Sequence, residues 1–416
     1  MSGTIKRRAL LCAALLALGL PQASLAGPVA DRQKSSERVP FTAGAAATAR
    51  PAGLPDSVRI AGDDPKAFQA LIDGASQSAE PWLVLSGGGE NGAFAAGLLN
   101  GWSAAGTRPN FGVITGVSTG AMIAPFAFVG SGEDAVLAKA YTEVSAADVF
   151  EFGATNESLT DTWPLKRRIE RSVTPTLLKA IAAEHAKGRR LLVATTAVDS
   201  ERPVLWDMGA IASAGTPKAL DLFRAVILAS SAVPGVFPPV MIDATGQDGK
   251  AFQEMHDDGG TMAPFYLAPE SALLGQDADA VRLPARTVYL VVNNKLTPDF
   301  QVAARNTLSI LGRSMSAAIK AQTRAALALS KGFAERTGLD LRIAQIDERF
   351  THTTTAAFDQ AYMKALFAHG AALARAGTAF GDGSGEARIA VPTGSIKGAG
   401  SLDRNMPERV RDVAGR

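Results

Sequence analysis

The strongest constraint on this chain is the stretch from Phe111 to Met122, Phe-Gly-Val-Ile-Thr-Gly-Val-Ser-Thr-Gly-Ala-Met. Gly112 to Thr115 reads as a short buried strand, and the small and apolar residues after Ser118 read as a helix. The turn between them is Gly116-x-Ser118-x-Gly120. A serine on a tight strand-to-helix turn needs small neighbours, and glycine tolerates the backbone angles of such a turn. The turn lifts the hydroxyl out of the sheet and aims a helix N-terminus at whatever reacts there, which favours developing negative charge. Such a serine is a candidate nucleophile, although a chain with 41 glycines also offers this string as plain turn chemistry.

Around this turn the chain predicts β-α-β-α order. Pro81-Trp-Leu-Val-Leu-Ser is a buried strand and leads directly into Gly87-Gly88-Gly89-Glu90-Asn91-Gly92. A helix from about Ala93 to Ala105 follows, and then come strand 112–115 and the second helix, in which Pro125 predicts a kink or an early break. Alternation of this kind implies a parallel sheet covered by helices. Further strands are expected at Leu191–Thr196, Val204–Trp206, Ala251–Met255, Val288–Val292 and Leu341–Ile346. Further helices are expected at 164–171, 176–187, 220–230, 306–331 and 356–375.

Three consecutive glycines between a strand and a helix leave backbone N–H groups unobstructed, a nest for an anion. The anion could be a phosphate, the pyrophosphate of a dinucleotide, or the oxyanion of a tetrahedral acyl intermediate. No Gly-Lys-Ser/Thr follows, as a P-loop would require. Asp257-Asp258-Gly259-Gly260 comes later, after the 251–255 strand, and by itself is an ordinary turn.

Taken together and in this order, the glycine loop, the Gly116-x-Ser118-x-Gly120 elbow and Asp258-Gly259-Gly260 resemble the patatin-like phospholipase family. Ser231-x-x-Pro234-Gly-Val-Phe-Pro-Pro239 is similar to its proline-rich segment before the aspartate. The resemblance runs from about Trp82 to Gly260. It implies a three-layer α/β/α fold with a mainly parallel central sheet and a Ser–Asp dyad. Ser118 would be the nucleophile, Asp258 the general base, and the amides of Gly87, Gly88 and Gly89 the oxyanion hole, with Gly92, Gly116, Gly120, Gly259 and Gly260 supporting these motifs. One residue departs from the pattern: the family carries Arg or Lys where this chain has Asn91, before Gly92. The resemblance implies a lipid acyl hydrolase of the phospholipase A or lysophospholipase kind. Rival readings are a soluble short-chain esterase or thioesterase, and a non-catalytic lipid- or anion-binding protein.

A Ser-His-Asp triad is the competing mechanism, and the chain has four histidines. His352 and His369 follow Asp258, as the usual Ser, acid, His order requires, and His352 is the stronger candidate. His185 reads as a surface cation at a helix end. His256 sits two residues before Asp258, on the same face of a strand, and Asp257 competes with Asp258 for the role of base. Lys166, Arg167, Arg168 and Arg171 read as a solvated helix face that could touch anionic lipid headgroups in transient membrane contact. No His or carboxylate cluster has metal spacing, and neither metal nor cofactor is expected.

Lys6, Arg7 and Arg8, then apolar Ala9 to Leu20, then Ser24-Leu25-Ala26 read as a signal peptide over 1–26. This predicts export to the periplasm, the outer membrane or the medium. Its removal would move the formal charge from +2 to −1, which gives no basis for nucleic-acid binding, and would remove Cys12, the sole cysteine. Residues 27–61, rich in Ala, Pro and Thr, read as a linker or loose arm, 62–380 as one hydrolase domain and 381–416 as a flexible tail.

Overall fold

The computed structural model describes residues 38–75, 80–153, 157–276, 281–298, 300, 302–305 and 307–381. The expected signal peptide over 1–26 and nearly all of the expected tail lie outside the described residues. The described residues from Phe41 to Gly381 belong to one compact unit; of the unit before it, the described residues 38–40 carry no helix or strand.

In chain order, the strands are β1 (Arg50–Pro51), β2 (Arg59–Ala61), β3 (Trp82–Leu85), β4 (Val113–Gly116), β5 (Glu151–Phe152), β6 (Thr160–Asp161), β7 (Arg190–Ala197), β8 (Arg202–Asp207), β9 (Val240–Thr245), β10 (Ala251–Asp258), β11 (Thr287–Val292) and β12 (Asp340–Gln345). The helices are α1 (Ala43–Ala47), α2 (Pro65–Asp73), α3 (Gly92–Ala104), α4 (Thr119–Val129), α5 (Asp134–Thr142), α6 (Trp163–Ser172), α7 (Pro175–His185), α8 (Met208–Ser213), α9 (Pro217–Ser230), α10 (Glu270–Leu274), α11 (Thr307–Thr337) and α12 (Gln360–Arg375). Sequence explains their starts. Asp64, Thr174 and Thr216 each accept a hydrogen bond from the first turn of the helix that follows, and Pro65, Pro175 and Pro217 open those helices.

The central sheet runs β1-β9-β10-β7-β4-β3-β11-β12, with β8 on the other edge of β7 and β2 beyond β8. β12, β11, β3, β4 and β7 are mutually parallel; β10, β9, β8, β1 and β2 join antiparallel, so the sheet is mixed rather than purely parallel. Side chains alternate between its faces. Leu83, Leu85, Ile114, Leu191 and Val193 enter one core with α3 to α9 and α12, whereas Trp82, Val84, Val113, Leu192 and Ala194 enter the other with α2, α10 and α11. The result is a three-layer α/β/α fold.

Two expectations need correction. Residues 41–61 are not a loose arm: β1 pairs with β9, β2 pairs with β8, and Val58 is fully buried. Arg59 holds the segment in place through a 2.7 Å ion pair with buried Glu254. A pairing partner nearly 200 residues away, and not local composition, decides this segment. Pro125 does not break α4, which continues to Val129 and stops at Gly130. Pro125 lies within the last two turns of a helix buried almost throughout, so packing outweighs the one amide bond that proline removes.

Candidate active site

β7 brings the site together. Along one edge its first half pairs with β4, which ends at Gly116 opposite Val193. Its second half pairs with β10, which runs the opposite way and ends at Asp258 opposite Thr195. The two chains therefore run toward each other along one strand and stop two residues apart, about 7 Å at the rise of a strand. Ser118 and Asp258 project into that notch, at the carboxyl ends of the parallel strands, where open α/β sheets place their ligands. Ser118 Oγ donates to Asp258 Oδ2 at 2.6 Å, and both residues are buried.

Each partner is held. Ser118 adopts φ 56°, ψ −123°, a conformation costly for any residue with a Cβ. Its N–H donates to Ser230 Oγ at 3.0 Å, and Ser230 in turn donates to Ala194 O at 2.7 Å. Asp258 accepts from the Gly260 N–H at 2.7 Å through Oδ1, its own N–H donates to Ala232 O, and Thr196 Oγ1 donates to its carbonyl. Glycine is required here by close approach. A Cβ at Gly92, Gly116, Gly120 or Gly259 would stand between 2.2 and 2.6 Å from a neighbouring atom.

Burial raises the Asp258 carboxyl to about 7. The bonds from Ser118 and Gly260 oppose that rise, and neighbouring Asp257 adds to it. Burial likewise raises Asp257 to about 6. Asp257 points elsewhere, and Ser118 Oγ bonds Asp258.

The glycine loop is only partly available to a ligand. The Gly87 N–H donates to Pro264 O at 2.9 Å, so Gly87 cannot serve as the third donor expected from sequence. The acceptor comes from the turn after the Asp-Gly-Gly motif, and no local signal announces it. Gly88, at φ 153°, has no room for a side chain beside Asn293 O, whereas a Cβ on Gly89 would meet nothing within 4 Å. Among the described residues the Gly88, Gly89 and Thr119 N–H groups meet no acceptor. Thr119, the first residue of α4, was not singled out by sequence. The position after a nucleophile on an elbow is the signal that could have found it.

Asn91, in place of a basic residue, accepts from Tyr362 Oη at 2.8 Å, and Glu90 accepts from the Phe358 N–H. The segment leading into α12 thus braces the loop. None of the four histidines touches Ser118. His256 is fully buried, its pKa lowered by that burial, and lies 3.0 Å from Thr195 Oγ1; His369 lies 3.3 Å from Asp347; His185 lies 3.7 Å from Asp207; and His352 is exposed beside Phe350.

A cavity of about 760 Å³ opens beside the loop. Gly89, Met122 and Phe126 line its near side, and Leu165, Ile169 and Ile227 line part of the rest. Ile123 and Phe128, on the same helix, face the core instead. Arg168 and Arg171 of α6 also line the cavity, so that helix face is not simply solvated.

The family model described as patatin-like phospholipase matches residues 83–269, a span that starts in β3 and ends beyond the Asp-Gly-Gly turn. No curated protein matches the chain. Among solved structures the chain is similar to VipD from Legionella pneumophila, with 12% identity over 72% of this chain and 67% of that one and a TM-score of 0.37. The segment that builds the site, residues 83–269, is thus similar to the patatin-like phospholipases.

Proposed function

We propose that this protein hydrolyses carboxylic esters of lipids through a Ser118–Asp258 dyad and an acyl-enzyme. The observation that carries the reading is the 2.6 Å bond between a strained, buried serine hydroxyl and a buried carboxylate that burial makes more basic. Asp258 takes the Ser118 proton as Oγ attacks the ester carbonyl. The tetrahedral oxyanion is held by the N–H groups of Gly88, Gly89 and Thr119 at the N-terminus of α4. The alcohol leaves with the proton from Asp258. Water then gives its proton to Asp258 and attacks the acyl-enzyme, and the fatty acid departs as Ser118 is restored.

The cavity supports a long acyl chain over a short one, since its volume lies within the range of pockets that enclose whole ligands and its walls are largely apolar. The test is hydrolysis of p-nitrophenyl esters of graded length. Rates should climb toward long chains. Ile169→Trp, which fills the cavity at a distance from Ser118, should cut long-chain turnover about tenfold and spare short esters. A profile that peaks at the shortest ester would favour a soluble esterase, and no turnover at all would favour a lipid-binding protein.

We also propose that the chain is exported and cleaved after Ala26. N-terminal sequencing of protein recovered outside the cytoplasm should begin at Gly27, and a start at Met1 would refute it.

A further inference from the structure

Behind the glycine loop lies a second layer of polar residues. β11 runs parallel beside β3, with Val291 opposite Leu85, so Asn293 and Asn294, which leave β11, lie beside Ser86 and Gly87, which leave β3. Ser86 and Asn293 are both fully buried, and neither belongs to the dyad. Their hydrogen bonds form a chain that ends on the loop. The Asn293 N–H donates to Ser86 Oγ at 2.8 Å, and Ser86 Oγ donates onward to Gly87 O at 2.7 Å. Asn294 Nδ2 reaches the same carbonyl at 3.5 Å. The Asn293 side chain fixes this layer to its surroundings: Nδ2 donates to Ser86 O at 3.0 Å, and Oδ1 accepts from the Ala95 N–H of α3 at 3.2 Å.

The planarity of the peptide carries this layer's effect to the reaction. The carbonyl of Gly87 and the N–H of Gly88 belong to one trans peptide unit, in which the two groups point in opposite directions. A hydroxyl that holds the carbonyl on one side therefore sets the direction of the N–H on the other. The loop is also wedged between this layer and the nucleophile. A Cβ on Gly88 would stand 2.3 Å from Asn293 O, and one on Gly87 would stand 3.2 Å from the Ser118 Cβ. A hydrogen bond to the carbonyl polarises the peptide unit as well, which makes its N–H a stronger donor.

The geometry points to Ser86 as a positioning residue for the oxyanion donor at Gly88, with Asn293 orienting its hydroxyl and Asn294 as a second, longer donor to the same carbonyl. The inference rests on the dyad reading, in which the Gly88 N–H holds the oxyanion. Asn293 and Asn294 lie outside the span 83–269 that resembles the family, so this support comes from a part of the chain beyond the matched motifs.

The test compares the full-length wild type with Ser86→Ala, Ser86→Cys and Asn294→Ala. Ser86→Ala should lower kcat on a p-nitrophenyl ester about 30-fold, less than the loss of about 10²–10³-fold from deleting an oxyanion donor outright. KM should stay within about twofold, because the bond matters in the transition state. Affinity for an alkylboronic acid, a mimic of the tetrahedral intermediate, should fall by the same factor as kcat. The acid limb of the rate profile should keep its midpoint near 7, since Asp258 is untouched. Ser86→Cys, whose thiol is a weaker donor, should fall between alanine and wild type. An unchanged kcat in Ser86→Ala overturns the inference, and so does a kcat loss without a matching loss of boronic acid affinity. If Ser86→Ala melts well below the wild type, Asn294→Ala decides: a loss of about threefold in both kcat and boronic acid affinity is expected, and no loss overturns the inference. None of these outcomes touches the dyad, which fails instead if Ser118→Ala keeps turnover. A wild type that turns over no ester overturns both.

Discussion

Ser118→Ala is expected to lower kcat/KM on a p-nitrophenyl ester by at least about 10³-fold without unfolding the protein. The loss is large because no other group can take over. Thr119, the nearest hydroxyl in sequence, is turned away and bonded to Tyr141 at 2.6 Å, and no histidine is in reach. The same position separates catalytic need from stability. At φ 56°, ψ −123° a side chain is strained, and the strain is relieved only by glycine. Ser118→Gly should therefore be as inactive as Ser118→Ala yet more stable than it by about 1 kcal/mol, a difference visible in parallel thermal melts. If the alanine variant were the more stable, the elbow would not be strained. If it kept turnover or took up a fluorophosphonate label, Ser118 would not be the nucleophile.

Much of this site could be read from the chain because its parts are local. A strand, a turn and a helix are set by adjacent residues, so β3, β4, the elbow and the Asp-Gly-Gly turn follow from residue type and spacing. The parts that could not be read depend on distant partners. Gly87 lies in a proper glycine nest, but its amide is taken by Pro264, more than 170 residues later. Residues 41–61 have the composition of a linker, and buried Glu254 makes part of them a strand. Val240–Thr245 followed by Gly246-Gln-Asp-Gly249 is a hairpin signal carried by the sequence itself, and β9 pairs antiparallel with β10 across that turn. The meeting of Ser118 with Asp258 is intermediate: both motifs are legible, but their distance depends on β10 taking over from β4 along β7.

Asp258→Asn should abolish turnover, by roughly 10³-fold, and at the same time stabilise the protein at neutral and higher pH. Asn keeps the shape, accepts from Gly260 and can donate to Ser118, but it cannot take a proton. The stability change follows from the sign of the shift. The carboxyl titrates near 4 in the unfolded chain and near 7 in the fold, so the folded protein binds more protons between those values. Protonation therefore favours the fold below about pH 4, and that advantage is lost as the pH rises through 7. Roughly three pKa units correspond to at most about 4 kcal/mol, the penalty of an ionised carboxylate in this notch. The Asn variant does not bear it. Its melting temperature should match the wild type near pH 4 and exceed it increasingly up to pH 8. Wild-type kcat/KM should fall on acidification with an apparent midpoint near 7, the value to which burial raises Asp258. Asp257→Asn should keep activity within about tenfold and shift that midpoint downward, since it removes the neighbouring charge that helps hold Asp258 up. A rate profile flat to pH 4, or an Asp258→Asn variant no more stable at pH 8 than at pH 4, would mean that Asp258 is an ordinary carboxylate, and the base would have to be sought elsewhere.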